Sequence, residues 1–259
     1  MNKRVLVTRP AGQADRLCAL IEAAGFEAVR LPAIEIHGPE DTSELESMVT
    51  GLDRFDLAVF VSANAVHRGM EFILARRRWP AGVRIAAVGP TSNRAVEQYG
   101  LSVDYVPDHE FSSEGLLAVD ELQDMRGKRV VIFRGNGGRS KLYDTLTARG
   151  AEVVYAEVYR RTCPVIDFQT MLDLLQQEGL EVVIAASNET LQNLCHMAGP
   201  RGLPLLRGKL LLVPGQRQVE LAEQLGFTRT PVVAGNASDE AFIEALEKIF
   251  SCKDAKAQR

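Results

Sequence analysis

The strongest constraint on this chain is that it holds one unit twice. Laid against itself at an offset of about 125 residues, the stretch 3–34 aligns without a gap on 128–159. Lys3/Lys128, Arg4/Arg129, Val5/Val130, Arg9/Arg134, Gly12/Gly137, Leu17/Leu142, Ala23/Ala148, Gly25/Gly150, Glu27/Glu152 and Val29/Val154 are identical pairs. Residues 56–62 meet 181–187 at the same offset, and 84–88 meet 209–213. The offset is far longer than a solenoid period, so the repeating unit has the size of a small domain.

Each copy alternates short β-rich runs with helical apolar spacing: VLVT, LAVFVS and IAAV in the first, VVIF, VVIAAS and LLLV in the second. Leu17, Leu20, Ile21 and Ala24 share one helical face, and Gly25 follows where a left-handed C-cap is wanted, so a helix is expected over about 13–24. Near-continuously apolar strands alternating with helices indicate parallel sheets covered on both faces. The expected fold class is therefore α/β, two flavodoxin-like domains with parallel sheets. Pattern alone allows a simple tandem split near residue 125. The equivalent segments 32–37 and 157–162 both read as extended, however, and could pair as a two-stranded linker. The first βαβ of each copy would then complete the sheet of the other. On that reading domain 1 is discontinuous, 1–35 with 164–251, and domain 2 is 38–156. Segments 33–38 and 157–163 link them, and 252–259 form a flexible tail.

With 259 residues, 46% of them hydrophobic, the chain can bury two ordinary cores. A net charge of -4 speaks against a generic nucleic-acid binder. Cys18, Cys163, Cys195 and Cys252 show no C-x-x-C spacing, and His37, His67, His109 and His196 no metal-ligand spacing, so reduced thiols and no metal are expected. The start of the chain enters a strand-like pattern with no export signal, and no run is long enough to span a membrane. A cytoplasmic protein is expected.

In open parallel sheets, ligands collect beyond the carboxyl ends of the strands. The residues there are Thr8-Arg9-Pro10-Ala11-Gly12, Ser62-Ala63-Asn64-Ala65, Gly89-Pro90-Thr91-Ser92, Arg134-Gly135-Asn136-Gly137-Gly138-Arg139, Ser187-Asn188-Glu189-Thr190 and Pro214-Gly215-Gln216-Arg217. Rich in Gly, Ser, Thr, Asn and Arg and nearly free of carboxylates, they suit an anionic ligand. A Ser, Thr or Asn after a strand also serves as an ordinary helix N-cap. The glycines and arginines of 134–139 exceed what a turn needs, yet form neither a Walker loop nor a dinucleotide fingerprint. Arg76-Arg77-Arg78 reads as a solvated helix end. No nucleophile elbow, zinc-protease helix or nucleophile–base pair is present, so any chemistry must rest on positioning and electrostatics.

Taken in order, VTRP (7–10), VSANAV (61–66), AVGPT (87–91), SEGLL (113–117), RGNGGR (134–139) and VYRR (158–161) resemble the pattern of uroporphyrinogen-III synthases over about residues 3–250. The resemblance implies two flavodoxin-like domains with the active site in the cleft between them. It implies cyclisation of hydroxymethylbilane, an octacarboxylate, to uroporphyrinogen III with ring D inverted through a spiro intermediate. No cofactor takes part. Tyr159 matches the family's candidate proton donor, and Ser62 and Ser187 match positions in its cleft. Carried onto this chain, the expected substrate contacts are Thr8, Arg9, Ser62, Ala63, Asn64, Gly89, Thr91, Arg134, Gly137, Gly138, Arg139, Ser187, Asn188 and Gln216. The segment 214–217 departs from the Ser/Thr-rich form common in the family. The implied partners are the bilane itself and, transiently, the preceding bilane-forming enzyme, with the protein a monomer that binds neither nucleic acid nor membrane. The reading from another class is a two-domain small-anion binding or sensor protein without catalysis.

Overall fold

The computed structural model describes the backbone of residues 3–257 and the side chains of residues 3–251. The first copy contributes β1 (Arg4–Val7), α1 (Asp15–Ala23), β2 (Glu27–Arg30), β3 (Glu35–His37), α2 (Ser43–Thr50), β4 (Leu57–Phe60), α3 (Ala63–Leu74), β5 (Arg84–Ala87), α4 (Pro90–Glu97) and α5 (Ser113–Leu117). The second contributes β6 (Arg129–Gly135), α6 (Lys141–Ala148), β7 (Glu152–Thr162), α7 (Phe168–Gln176), β8 (Leu180–Ile184), α8 (Asn188–Arg207), β9 (Leu210–Val213), α9 (Gln216–Gln224), β10 (Val232–Val233) and α10 (Asp239–Ala257).

The strands form two five-stranded sheets, ordered β10-β9-β8-β1-β2 and β3-β7-β6-β4-β5. The ladders from β10 to β2 and from β7 to β5 are parallel, as the α/β reading requires. β1 pairs with β8, Val5 opposite Val182, while β4 pairs with β6, Leu57 opposite Val130. Each sheet thus joins the first βαβ of one copy to the later strands of the other. Two compact units result, Met1–Glu35 with Thr162–Arg259, and Ile36–Arg161.

Both faces of each sheet are covered, which is why the strands read as unbroken apolar runs. In the first unit Leu6, Val183 and Leu211 face one core while Val5, Val7, Val182 and Ile184 face the other. In the second unit Ala58, Phe60, Val131 and Phe133 face one, and Leu57, Val59, Val130 and Ile132 the other. Alternate residues serve opposite faces, as strand geometry dictates.

α1 starts at Asp15, two residues later than expected, because a short 3-10 turn at Ala11–Gln13 comes first. Gly25 and Gly150 follow their helices with φ of 84° and 94°, the left-handed conformation that ends a helix at low cost in glycine. The extended segment expected at 157–163 continues β7 as far as Thr162, and β3, from the segment expected at 33–38, lies beside β7. The arginine triplet also needs correction. α3 ends at Leu74, and Arg77 reaches the carbonyls of Val49 and Thr50 and the carboxylate of Asp53, capping the end of α2 rather than standing in solvent. The segment expected as a tail lies on α10 as far as Ala257; its side chains, Cys252 included, and its last two residues are outside the described residues. No helix among the described residues is long and apolar enough to cross a membrane.

Candidate functional site

In the second unit, β6 carries Arg134 and Gly135 to the carboxyl edge of the sheet. The loop beyond turns through Gly137 and Gly138, with φ of 68° and 93°. The second glycine has a further reason to lack a side chain: a Cβ there would stand 2.9 Å from Nη2 of Arg134, which lies beneath the loop. Arg134 is buried, 8% exposed. Its Nε donates to the Gly135 carbonyl at 3.1 Å and its Nη1 to the Arg139 carbonyl at 3.5 Å. The guanidinium also stands 4.5 Å from the centre of the Tyr155 ring. No ion pair among the described residues involves Arg134. Carbonyl oxygens and a π face offset a buried positive charge only in part, so the field around it favours an incoming carboxylate.

Arg134 lines a cavity of about 220 Å³ together with Ser62, Ser113, Gly137, Gly138, Arg139, Tyr155, Tyr159 and Arg161. Burial raises the Tyr155 phenol, against the opposing pull of Arg134, so that at neutral pH it is uncharged. Arg139, on the rim, pairs with Glu114 at 2.8 Å. The backbone amide of Glu114, and then Arg139, hold that carboxyl below its ordinary range.

Tyr159 is 6% exposed, and its hydroxyl lies 3.4 Å from Ser62 Oγ. Ser62 is the N-cap of α3, its Oγ accepting from the Ala65 amide at 3.1 Å. With that lone pair engaged, Ser62 can donate its own proton to the phenol oxygen, which leaves the phenolic proton for a third group. Either hydroxyl can be the donor in this contact; with Ser62 donating, the pair has the polarity of a general acid with a supporting donor behind it.

Six of the expected residues thus share one pocket: Ser62, Arg134, Gly137, Gly138, Arg139 and Tyr159. Ala63 and Asn64 begin α3 beside it. Gly89 is the N-cap of α4, with Thr91 exposed in its first turn. Ser187, Asn188 and Gln216 belong to the first unit, at the starts of α8 and α9, where Ser187 caps α8 by accepting from the Thr190 amide at 3.1 Å and Asn188 accepts from Gln218.

Thr8 and Arg9 need correction. Thr8 is 1% exposed and donates its hydroxyl to the Ile184 carbonyl at 2.6 Å. Arg9 pairs with the buried Asp239 and donates to the Ala237 carbonyl at 2.7 Å. Both side chains are thus engaged by partners within the first unit. Ser113, Gly135, Tyr155 and Arg161 line the pocket without having been expected there. Ser113 and Arg161 stand inside the SEGLL and VYRR motifs, and Gly135 inside RGNGGR, so the motifs marked them; Tyr155 carried no signal.

The family model described as uroporphyrinogen-III synthase HemD matches residues 15–244. The chain belongs to this family. A uroporphyrinogen-III synthase of Salmonella typhimurium is 35% identical over 249 residues, 94% of this chain and 99% of that protein. One from Escherichia coli is 34% identical over 247 residues, again 94% and 99%. Among solved structures, a triple mutant of uroporphyrinogen III synthase from Thermus thermophilus matches with a TM-score of 0.64 at 20% identity, over 99% of this chain and 100% of that one. A uroporphyrinogen-III synthetase from Helicobacter pylori gives 0.63 at 15%, over 96% and 100%. At such identities the structures speak for the fold, two mostly parallel α/β sheets. The uroporphyrinogen-III synthase family carries the lyase activity EC 4.2.1.75 and acts on the small molecule hydroxymethylbilane. The reading as a non-catalytic anion binder is not favoured.

Proposed function

We propose that this member of the family converts hydroxymethylbilane to uroporphyrinogen III, using the pocket of the second unit to hold acidic side chains of the bilane and to start the reaction. The observation that supports this most directly is Arg134, a buried cation without a carboxylate partner, in one cavity with the Tyr159 phenol. Tyr159 gives its proton to the departing hydroxyl, which leaves as water, and Ser62 donates to the phenolate oxygen that remains. The substituted carbon of ring D attacks the methylene of the azafulvene so formed, and the spiro intermediate rearranges to the inverted ring. The proton lost when that pyrrole regains aromaticity returns to Tyr159, so the enzyme is restored. Because direct closure needs no inversion, the site's main task is to hold ring D in the reacting geometry. Ser187, Asn188 and Gln216 of the first unit, and Asn64, Gly89 and Thr91 of the second, supply further amides and polar groups for the remaining carboxylates.

The protein works without a cofactor, as a cytoplasmic monomer in transient contact with the enzyme that delivers the bilane, and engages neither nucleic acid nor membrane. The two chain crossings at 33–38 and 157–163 serve as the linker between domains. Incubation with freshly made hydroxymethylbilane, followed by oxidation and isomer separation, tests the proposal. The type III porphyrin is expected in excess over the type I isomer of uncatalysed closure. Tight binding with a type I product alone would overturn it in favour of an anion binder.

A further inference from the structure

The end of β6 and the second half of β7 break the regularity of their sheet at one place. From Arg129↔Glu152 to Arg134↔Glu157 the pairing runs residue for residue, but Gly135 then lies opposite Tyr159 and Val158 is passed over. Along β7, Val154, Ala156 and Val158 face one core and Val153 the other. By parity Tyr159 belongs on the face of Val153. The bulge returns it to the face of Val158, where it joins the core that holds Phe60 and Phe133. Re-aiming a side chain is what a bulge does.

Two residues of the 134–139 loop fit that displaced tyrosine. A Cβ on Gly135 would stand 2.4 to 2.9 Å from three ring atoms of Tyr159, so the ring rests directly on the glycine backbone. Asn136 donates its main-chain amide to the Tyr159 carbonyl at 2.9 Å, while its side-chain Oδ1 accepts from the Arg161 main-chain amide at 2.8 Å. The main chain is thereby gripped on both sides of Arg160. In the other copy the corresponding residues are Pro10, Ala11 and Ile34, and although the chain beyond β2 also slips by one residue, the Ala33 amide bonding to the Thr8 carbonyl, no aromatic side chain stands at the place of Tyr159. The tyrosine and the two residues that fit it are therefore particular to the second copy.

We infer that Gly135 and Asn136 are positioning residues that seat the Tyr159 phenol against Ser62. Their effect on the reaction rests on the reading of Tyr159 as proton donor; the seating itself does not. The test uses full-length protein labelled with 3-fluorotyrosine, whose five tyrosines give a fluorine spectrum in which Tyr159→Phe identifies the resonance of interest. Gly135→Ala and Asn136→Ala are each expected to shift that resonance. Gly135→Ala should lower kcat about as far as Tyr159→Phe, roughly 100-fold, and add little in the double variant, because both act through one group. Asn136 has an exposed side chain, so its variant tests the idea even where Gly135→Ala fails to fold. Asn136→Ala should lower kcat about tenfold with KM within about twofold, and Asn136→Asp, which keeps the acceptor for Arg161, should restore kcat while its charge raises KM for the polyanion. An unmoved resonance in Asn136→Ala, or losses that multiply in the Gly135→Ala/Tyr159→Phe double variant, would overturn the inference. A shifted resonance combined with a Tyr159→Phe variant of normal rate would instead uphold the seating and defeat the proton-donor reading alone.

Discussion

Arg9 and Arg134 occupy the same position in the two copies, each just beyond the core of its first strand, yet their surroundings differ. Arg9 is neutralised: it pairs with Asp239, whose side chain is 7% exposed, and its guanidinium lies 5.7 Å from the centre of the Phe242 ring. Arg134 is more deeply set, and carbonyls and the Tyr155 ring surround it. The same position of the repeat thus holds a carboxylate-paired arginine in one unit and, among the described residues, an arginine met only by carbonyls and a ring in the other. The difference comes from the partner residues, since α10 supplies Asp239 to Arg9 while β7 supplies Tyr155 to Arg134. Burial of a charge says little about function until its counter-charge is known.

The largest effect expected concerns the residue that has no polar counterpart in the first copy, where Ile34 stands for Tyr159. Tyr159→Phe keeps the ring on Gly135 and removes only the proton. A general acid of this kind typically contributes ~10²–10⁴ in rate, so kcat should fall about 100-fold or more with the circular dichroism spectrum unchanged. A variant within about twofold of the parent would make Tyr159 a packing aromatic and the two copies equivalent at this position.

Next come the arginines themselves, as a matched pair of substitutions. Arg134→Met keeps much of the apolar stem and removes the charge; losing one charge-assisted hydrogen bond of roughly 1.5–3 kcal/mol should raise KM about ten- to a hundredfold. Arg9→Met should leave KM within about twofold. It should instead destabilise the fold by about 2 kcal/mol, below the ~3–5 kcal/mol typical of breaking a buried pair, because Arg16 also reaches Asp239. Urea midpoints and steady-state kinetics measured on both variants decide the matter. If both proteins lose stability and neither loses affinity, the arginines are alike and the comparison fails.

The duplication, the parallel α/β pattern and the helix-ending glycines were legible because they depend on local spacing: apolar period, turn residues and an ungapped self-alignment. The motifs likewise marked most of the pocket. Illegible were the pairings made across long stretches of chain. Thr8 and Arg9 look like site residues until Ile184 and Asp239, 176 and roughly 230 residues away, are seen to claim them. Arg77 looks solvated until the end of α2 is seen beneath it. Tyr155 reads as an ordinary strand aromatic, and only the fold sets it against Arg134. A bulge is equally silent, because a one-residue change of register leaves the composition of β7 untouched.

The smallest expected difference separates the serines Ser62 and Ser187. Both are N-caps that accept from the amide three residues on, at 3.1 Å in each case. Replacing either by alanine should therefore cost about 1 kcal/mol of stability, the usual worth of such a cap. Their hydroxyls diverge beyond that shared duty. Ser187 Oγ lies 2.9 Å from the Thr190 hydroxyl within its own helix turn, whereas Ser62 Oγ lies 3.4 Å from the Tyr159 phenol. At that distance the contact with the phenol is weak at rest, and it strengthens only as charge develops on the oxygen. Ser62→Ala should accordingly lower kcat by about three- to tenfold beyond any effect of folding, while Ser187→Ala changes substrate affinity without comparable loss in kcat. In a Tyr159→Phe background the kcat penalty of Ser62→Ala should vanish, since no phenolate then forms for Ser62 to support. Persistence of the penalty in that background would show that Ser62 acts on the bilane directly, and the two serines would again be counterparts.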